Sequence, residues 1–312
     1  MSGYWRKIGN IFSPNGDPTW MNSHATVPTP LRIEGNLYRI YFSTRDTLLR
    51  NQVGFIEIDI TNPHQLLKVS DSPVLSLGDP GYFDCDGIYG TSLVRTGAEI
   101  RFYYAGWNAG LRGLFYSSIG VAISKDGGAT FEKYTEAPIL GRDYTDKWAV
   151  MAPFVLKINE NEWIMWYASG IKIYHNEENE LKSYYDVKTA LSRDGLNWVK
   201  TGQSAIPLDD KTSNIARACV LKEENGFVTW YPYVNKELGQ YRIGYGTSDD
   251  GLSFQRDDSS LDALISVSGN ERDWDGLAAT YPYVFKHRDK QYMLYNGNGF
   301  GKTGFGLAVW ES

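Results

Sequence analysis

Aspartate recurs at one place ahead of several alternating apolar runs. Asp86 lies in Phe83-Asp84-Cys85-Asp86-Gly87-Ile88-Tyr89-Gly90, Asp146 in Asp146-Lys147-Trp148-Ala149-Val150-Met151, and Asp275 in Asp273-Trp274-Asp275-Gly276-Leu277. Two carboxylates facing each other across a cleft serve as acid and base on a glycosidic bond, and the pair chosen is Asp86 with Asp275. Asp84 and Asp273 are alternatives to their neighbours two residues on, because residues i and i+2 of an extended strand share a face. Aromatics flank these acids: Tyr89, Trp148, Trp274 and Tyr281, with Trp107 at the end of a following strand. Such rings stack on the apolar face of a sugar. His24 and Arg217 occupy the same place in two further runs. A guanidinium suits a carboxylate or phosphate. The competing structural reading is that repeated aspartates cap turns through backbone N–H groups and that the aromatics are packing.

The elements that must position these residues repeat. Ser124-Lys125-Asp126-Gly127, Ser192-Arg193-Asp194-Gly195 and Ser248-Asp249-Asp250-Gly251 each follow one strand-like run and precede another. Five aromatic or branched runs recur: Tyr38–Phe42, Ile100–Tyr104, Trp163–Tyr167, Phe227–Tyr231 and Tyr292–Tyr295. A polar turn precedes each, as in a hairpin. Spacings of roughly 55–70 residues predict four-stranded propeller blades. The fold expected is all-β: a single five-bladed β-propeller over residues 1–312. The C-terminal run Gly304–Trp310 ends one strand short, and Tyr4-Trp5-Arg6-Lys7-Ile8 resembles Trp198-Val199-Lys200-Thr201-Gly202. The N-terminus is therefore expected to close the ring as the outer strand of the last blade. In a propeller the loops leading into the inner strands share one face, so the acids above are expected at the mouth of the channel.

The serine–aspartate–glycine turns resemble the Asp-box of sialidases, which implies a structural role away from the channel. Over the whole chain the blade pattern resembles the five-bladed propeller glycosidases, including glycoside hydrolase families 43 and 32 and the mannoside-phosphorylase family 130. Trp20-Met21-Asn22-Ser23-His24 follows the first three positions of the invertase motif Trp-Met-Asn-Asp-Pro-Asn-Gly, with Ser23 where that family has its nucleophilic aspartate. The family 43 acids are not matched either: Thr29, Ala152 and Tyr281 precede the prolines of the inner strands, and no glutamate lies in the lead-in segments. The resemblance implies a carbohydrate-active enzyme that cleaves or transfers a glycosyl unit; the rival is a non-catalytic sugar-binding propeller.

Composition bounds the partners. The 312 residues carry a net charge of −6, which disfavours nucleic acid. No apolar run reaches membrane-spanning length. The segment Met1–Lys7 has no signal-peptide core, and Cys85 and Cys219 suit neither a zinc motif nor a disulfide framework. The expectation is a cytoplasmic protein without metal or other cofactor, binding a small carbohydrate, sugar phosphate or nucleotide sugar. The polar stretch from Lys172 to Tyr185 reads as a solvated loop or an extended hairpin over the site.

Overall fold

The computed structural model describes residues 3–110, 115–260, 263 and 265–312. The described chain is nearly all strand. Strands Ser23–Glu34, Leu37–Arg45, Asn51–Asp59 and Leu66–Val69 form the first repeat, and Gly87–Thr96, Glu99–Ala109, Phe115–Ser124 and Glu132–Lys133 the second. Val150–Asn159, Glu162–His175, Leu181–Ser192 and Trp198–Ile206 form the third. The fourth has a broken first strand, Thr212–Ile215 and Cys219–Glu223, followed by Gly226–Asn235, Gln240–Ser248 and Gln255–Arg256. In the last sheet the order is Tyr4–Phe12, Phe305–Glu311, Lys290–Asn296, Thr280–His287, so both ends of the chain share one antiparallel sheet.

Within a repeat the ladders are antiparallel. Between repeats the backbone touches through single parallel bridges: Asn51–Gly87, Ser117–Ala149 and Tyr185–Asn214. Side chains do the rest. One buried cluster joins the first repeat to the last sheet (Ile40, Phe42, Ile56, Leu294, Phe305, Leu307). Others join the first repeat to the second (Tyr41, Phe55, Ile88, Phe102), and the second to the third (Tyr103, Val121, Val155, Met165). A larger cluster runs from Trp166 through Tyr231 to Tyr295 and takes in Trp5. The core is thus a circuit of face-to-face layers, closed by packing rather than by backbone ladders.

The serine–aspartate–glycine turns act between repeats. One carboxylate oxygen of Asp194 accepts the N–H groups of Leu196 and Asn197 at 2.8 Å each. This holds Gly195 at φ +73°, where a Cβ would be strained. The glycine carbonyls then receive a donor from the preceding repeat: Tyr41 Oη on Gly128 (2.5 Å), Tyr103 Oη on Gly195 (2.9 Å) and Trp166 Nε1 on Gly251 (2.7 Å). The structural role implied for these turns is what the contacts show.

Candidate functional site

Most of the repeated aspartates are structural. Asp84 accepts from Tyr104 Oη (3.1 Å) and pairs with Lys133 (2.7 Å). Asp146 accepts from Tyr167 Oη (3.0 Å) and pairs with Lys200 (2.7 Å) and Lys188 (3.1 Å). Asp275 accepts from Tyr295 Oη (2.8 Å) and pairs with Lys7 (2.6 Å). The fourth repeat builds the same trio from Asp258, Tyr231 and Arg256. In each case the tyrosine comes from the second strand and a cation from the outermost, with Lys188 of the third strand added at Asp146. The first repeat has Phe42 at the tyrosine's position, packed on Phe12 and Phe305. Three of the trio acids, Asp84, Asp146 and Asp275, are at most 5% exposed.

Of the acid–base pair expected, Asp86 and Asp275, the second is already engaged by an ammonium and a phenol. A carboxylate that already holds an ammonium and a phenol in the interior is a brace between strands. Replacing Asp275 by Asn removes the ion pair with Lys7 and should cost about 1–3 kcal/mol of stability, with turnover of any substrate unchanged in the folded fraction. A denaturant melt beside a rate measurement separates the two. A loss of turnover at undiminished stability would restore Asp275 to the chemistry.

Other residues singled out by type also serve packing. Trp148 is 7% exposed, wedged against Phe115 and over Gly170, where a Cβ would lie 2.2 Å from its indole nitrogen. Trp107 covers Gly87 in the same way. Trp274 packs on Tyr295 (5.2 Å between rings) and over Gly306. The Asp273 carboxylate is exposed and bonded to Ser268. Asp86 differs: it is half-buried, accepts the Ala109 N–H at 2.8 Å, and has no ion pair among the described residues.

The first strands share an irregularity that shapes the middle of the molecule. Each leaves register at the same level: Thr26 to Thr29, Gly90 to Ser92, Met151 to Phe154, Ile215 to Cys219, and Thr280 to Tyr283. Val27, Ala152 and Tyr281 there have φ of +50°, +49° and +51°, each just before a proline. Proline cannot donate to a ladder, so a bulge is where it belongs, and a positive φ at a non-glycine residue is strain held by the surroundings. The proline of this bulge in the first repeat is Pro28; the sequence reading placed it one turn of the pattern later, after Thr29. Turned out of register, the bulge carbonyls accept bonds from other repeats: Thr91 Oγ1 donates to Pro153 O (2.6 Å).

Arg217 sits at the fourth bulge. It is 0% exposed, and its Nη2 donates to Pro28 O (3.0 Å) and Thr29 Oγ1 (3.2 Å), spanning from the fourth repeat to the first. Its guanidinium lies 4.9 Å from the Tyr283 ring. Nε and Nη1 are buried without an acceptor, and burial lowers the pKa to about 10. The side chain expected to meet a ligand is thus fully buried. It is a strut that leaves an uncompensated positive charge inside.

Three expected residues, His24, Tyr89 and Tyr281, do come together, with Arg45, Tyr185 and Tyr241 beside them. Tyr89 and Tyr281 lie deep in the molecule yet keep some surface open to solvent, as does Tyr185. Tyr281 interacts electrostatically with both Tyr89 and Tyr185, so the three cluster where the first strands begin. Arg45 lies beside the Tyr89 hydroxyl with Asn51, and acts on both Tyr281 and His24. The Tyr185 and Tyr241 hydroxyls are hydrogen-bonded, and the Tyr241 ring lies tilted beside that of Tyr281, 6.1 Å between centroids. Burial, then Arg45, then Lys302 lower the His24 pKa to about 4, so its ring is neutral at pH 7. Burial raises the pKa of Tyr89 and Tyr185. Arg45 stands at the end of a second strand, where the sequence pattern already puts it on the lead-in face, whereas Tyr185, at the start of a third strand, is the group missed. The strand pattern places that position on the same face, and that was the available signal. Asp186 is 6% exposed, and burial raises its pKa. It follows Tyr185 in a strand and so faces away from that cluster.

The Lys172–Tyr185 stretch is a hairpin continuing two strands of the third repeat, with Tyr174 stacked on Tyr184 at 5.0 Å. A surface depression of about 460 Å³ beside Trp163, Arg193 and Asn197 lies at the Asp-box turn and brings no converging acid or base to a point. Among the described residues, no group of three or more His, Cys, Asp or Glu is placed to hold a metal, and no helix is long and apolar enough to cross a membrane.

The fold so described is a glycosidase-like propeller. A solved glycoside hydrolase superposes with a TM-score of 0.76 at 18% identity, covering 100% of this chain and 92% of its own. A structure from the GH130 family of mannoside phosphorylases gives 0.71 at 13% identity, covering 99% and 94%. A thermostable family-43 glycoside hydrolase gives 0.63 at 13%, covering 95% and 90%. No protein-family model matches the chain. Two Mycobacterium tuberculosis proteins, the uncharacterized proteins MT1551 and Rv1502, are each 36% identical to it over 99% of both lengths, and the chain belongs to their family.

Proposed function

We propose that this protein is a carbohydrate-active enzyme that cleaves or transfers a glycosyl unit in the recess around Tyr89, Tyr185 and Tyr281. The scaffold in this reading is a five-bladed propeller of four-stranded blades, with Tyr4–Phe12 as the outer strand of the last. The convergence of Arg45, His24 and these three tyrosines at one end of the first strands carries the assignment. Likeness to glycoside hydrolases supports it, among them a structure whose family is described as including enzymes that target β-1,2 mannosidic linkages. Asp86 is the proton-transferring carboxylate, because it alone of the sequence-chosen acids near the first strands is half-buried without an ion pair.

A second reading, a non-catalytic sugar-binding propeller, is favoured by one observation: Asp84, Asp146 and Asp275 are all held by lysines. Turnover on a panel of aryl glycosides, sugar phosphates and nucleotide sugars decides between the two. The enzyme reading expects turnover of one class, and a fall of about 10²–10⁴-fold in Asp86→Asn with binding kept. Sugar binding with no turnover across the panel would hand the site to the binding reading.

A further inference from the structure

We infer that the ligand of this recess is a phosphorylated sugar, with its phosphate against Arg45 and Lys302 and the C–H face of its sugar ring on Phe300. The inference rests on the recess being the sugar site.

The charged side chains acting on His24, Tyr89 and Tyr281 are cations, and Asp86, the carboxylate proposed for proton transfer, is not among them. The groups acting most strongly on His24, Tyr89 and Tyr281 are Arg45, Arg217, Lys302 and other tyrosines, in a chain whose net charge is −6. None of the ion pairs among the described residues includes Arg45, Arg217 or Lys302. Arg217 has no carboxylate partner, and its Nε and Nη1 have no acceptor. A buried cation without a counter-charge is costly, and an anion seated in the recess above it offsets that cost through the field alone. Tyr89, Tyr185 and Tyr281 add hydroxyls, and His24, neutral at pH 7, adds a ring nitrogen that can donate to a phosphate oxygen.

The platform is built by strain. Gly299, Phe300 and Gly301 have φ of +62°, +58° and +89°, a run of left-handed residues with a bulky aromatic in the middle. Conformations of this kind persist where the surroundings over-determine them. Here Asn298 Oδ1 accepts the N–H groups of Leu277 (2.9 Å) and Ala278 (3.1 Å), and its Nδ2 donates to Asp273 O (2.8 Å). Thr303 Oγ1 donates to Trp274 O (2.6 Å), and Gly301 lies against Ala25 O, next to His24. The outcome is a pinned loop that leaves Phe300 51% exposed, edge-on to Tyr241 at 5.8 Å, with exposed Lys302 two residues on. A rigid exposed ring beside a lone cation suits a ligand with one flat apolar face and one anionic group.

Calorimetry with the full chain tests this. The probes are glucose and mannose, their 1-phosphates, their nucleoside diphosphate derivatives, and inorganic phosphate. A phosphorylated sugar should bind at least ten-fold more tightly than the matching free sugar. Arg45→Met and Lys302→Met should each remove most of that advantage. Phe300→Ala should weaken the phosphorylated sugar at least five-fold and leave inorganic phosphate unchanged, with an unaltered melting curve because the ring is exposed; Phe300→Tyr should restore binding. A monophosphate and a nucleoside diphosphate sugar are told apart by which binds more tightly. Equal affinity for free and phosphorylated sugar, or a Phe300→Ala protein that binds as before, overturns the inference while leaving the recess as the sugar site. If no probe of either kind binds, both fall.

Discussion

Deleting residues 1–12 should abolish cooperative thermal unfolding. The segment supplies a full antiparallel partner for Phe305–Glu311, from Tyr4 against Glu311 to Phe12 against Phe305. It buries Trp5 and Ile11, each 6% exposed, and places Lys7 on Asp275 at 2.6 Å. Each buried side chain is worth about 1.5–3 kcal/mol, the ladder adds its own bonds, and its loss opens a sheet edge to other chains. The sum is comparable to the whole stability of a domain, about 5–15 kcal/mol. Lys7 also occupies the place that Lys133 and Lys200 hold in their repeats, against the aspartate that answers Asp84 and Asp146. A truncated protein with an unchanged calorimetric transition would show that the last sheet stands without this strand. Lys7→Met is the milder control, expected to lower the melting temperature while keeping a single transition.

Asp146→Ala should cost about 3–5 kcal/mol, because it strands charges inside the molecule. Asp146 is 0% exposed and faces two ammonium groups, Lys200 and Lys188, whose side chains are only 7% and 14% exposed. It also receives Ser169 and Tyr167 hydroxyls. Its burial opposes ionisation, but the Lys200 and Ser169 hydrogen bonds and the two lysine charges outweigh it and lower the pKa. A carboxylate held below its unfolded value stabilises the fold above that value, about 3.9 for aspartate. That contribution disappears as pH falls through the folded pKa. The parent should therefore lose stability in acid below about pH 4, and Asp146→Asn, which keeps shape but not charge, should show a flatter acid limb. Urea melts at pH 7 and pH 3 give both numbers. Equal acid limbs in parent and variant would show that the carboxylate does not carry this linkage.

The periodic features were legible in the chain itself. Alternating aromatic runs, polar turns and the serine–aspartate–glycine signature depend on nearest neighbours, because strand propensity and turn chemistry are local. The closing strand was also legible, since Tyr4–Ile8 carries the same pattern as Trp198–Gly202 and the cation at its third or fourth place has the same partner. Which aspartates do chemistry was not. Asp86 and Asp275 look alike as a type ahead of a strand, and only the fold brings Lys7, 268 residues away in sequence, onto one of them. Arg217 shows the same limit: among small residues at a strand end it suggests an anion contact, yet in the fold it is fully buried against the first repeat and Tyr283. The recess itself is tertiary. Arg45, Tyr185 and Phe300 stand far apart in the chain, each unremarkable in its own strand or loop. Side-chain reach is a few ångströms, so the joint role proposed for them depends on the fold bringing a second-strand end, a third-strand start and the loop at Phe300 together.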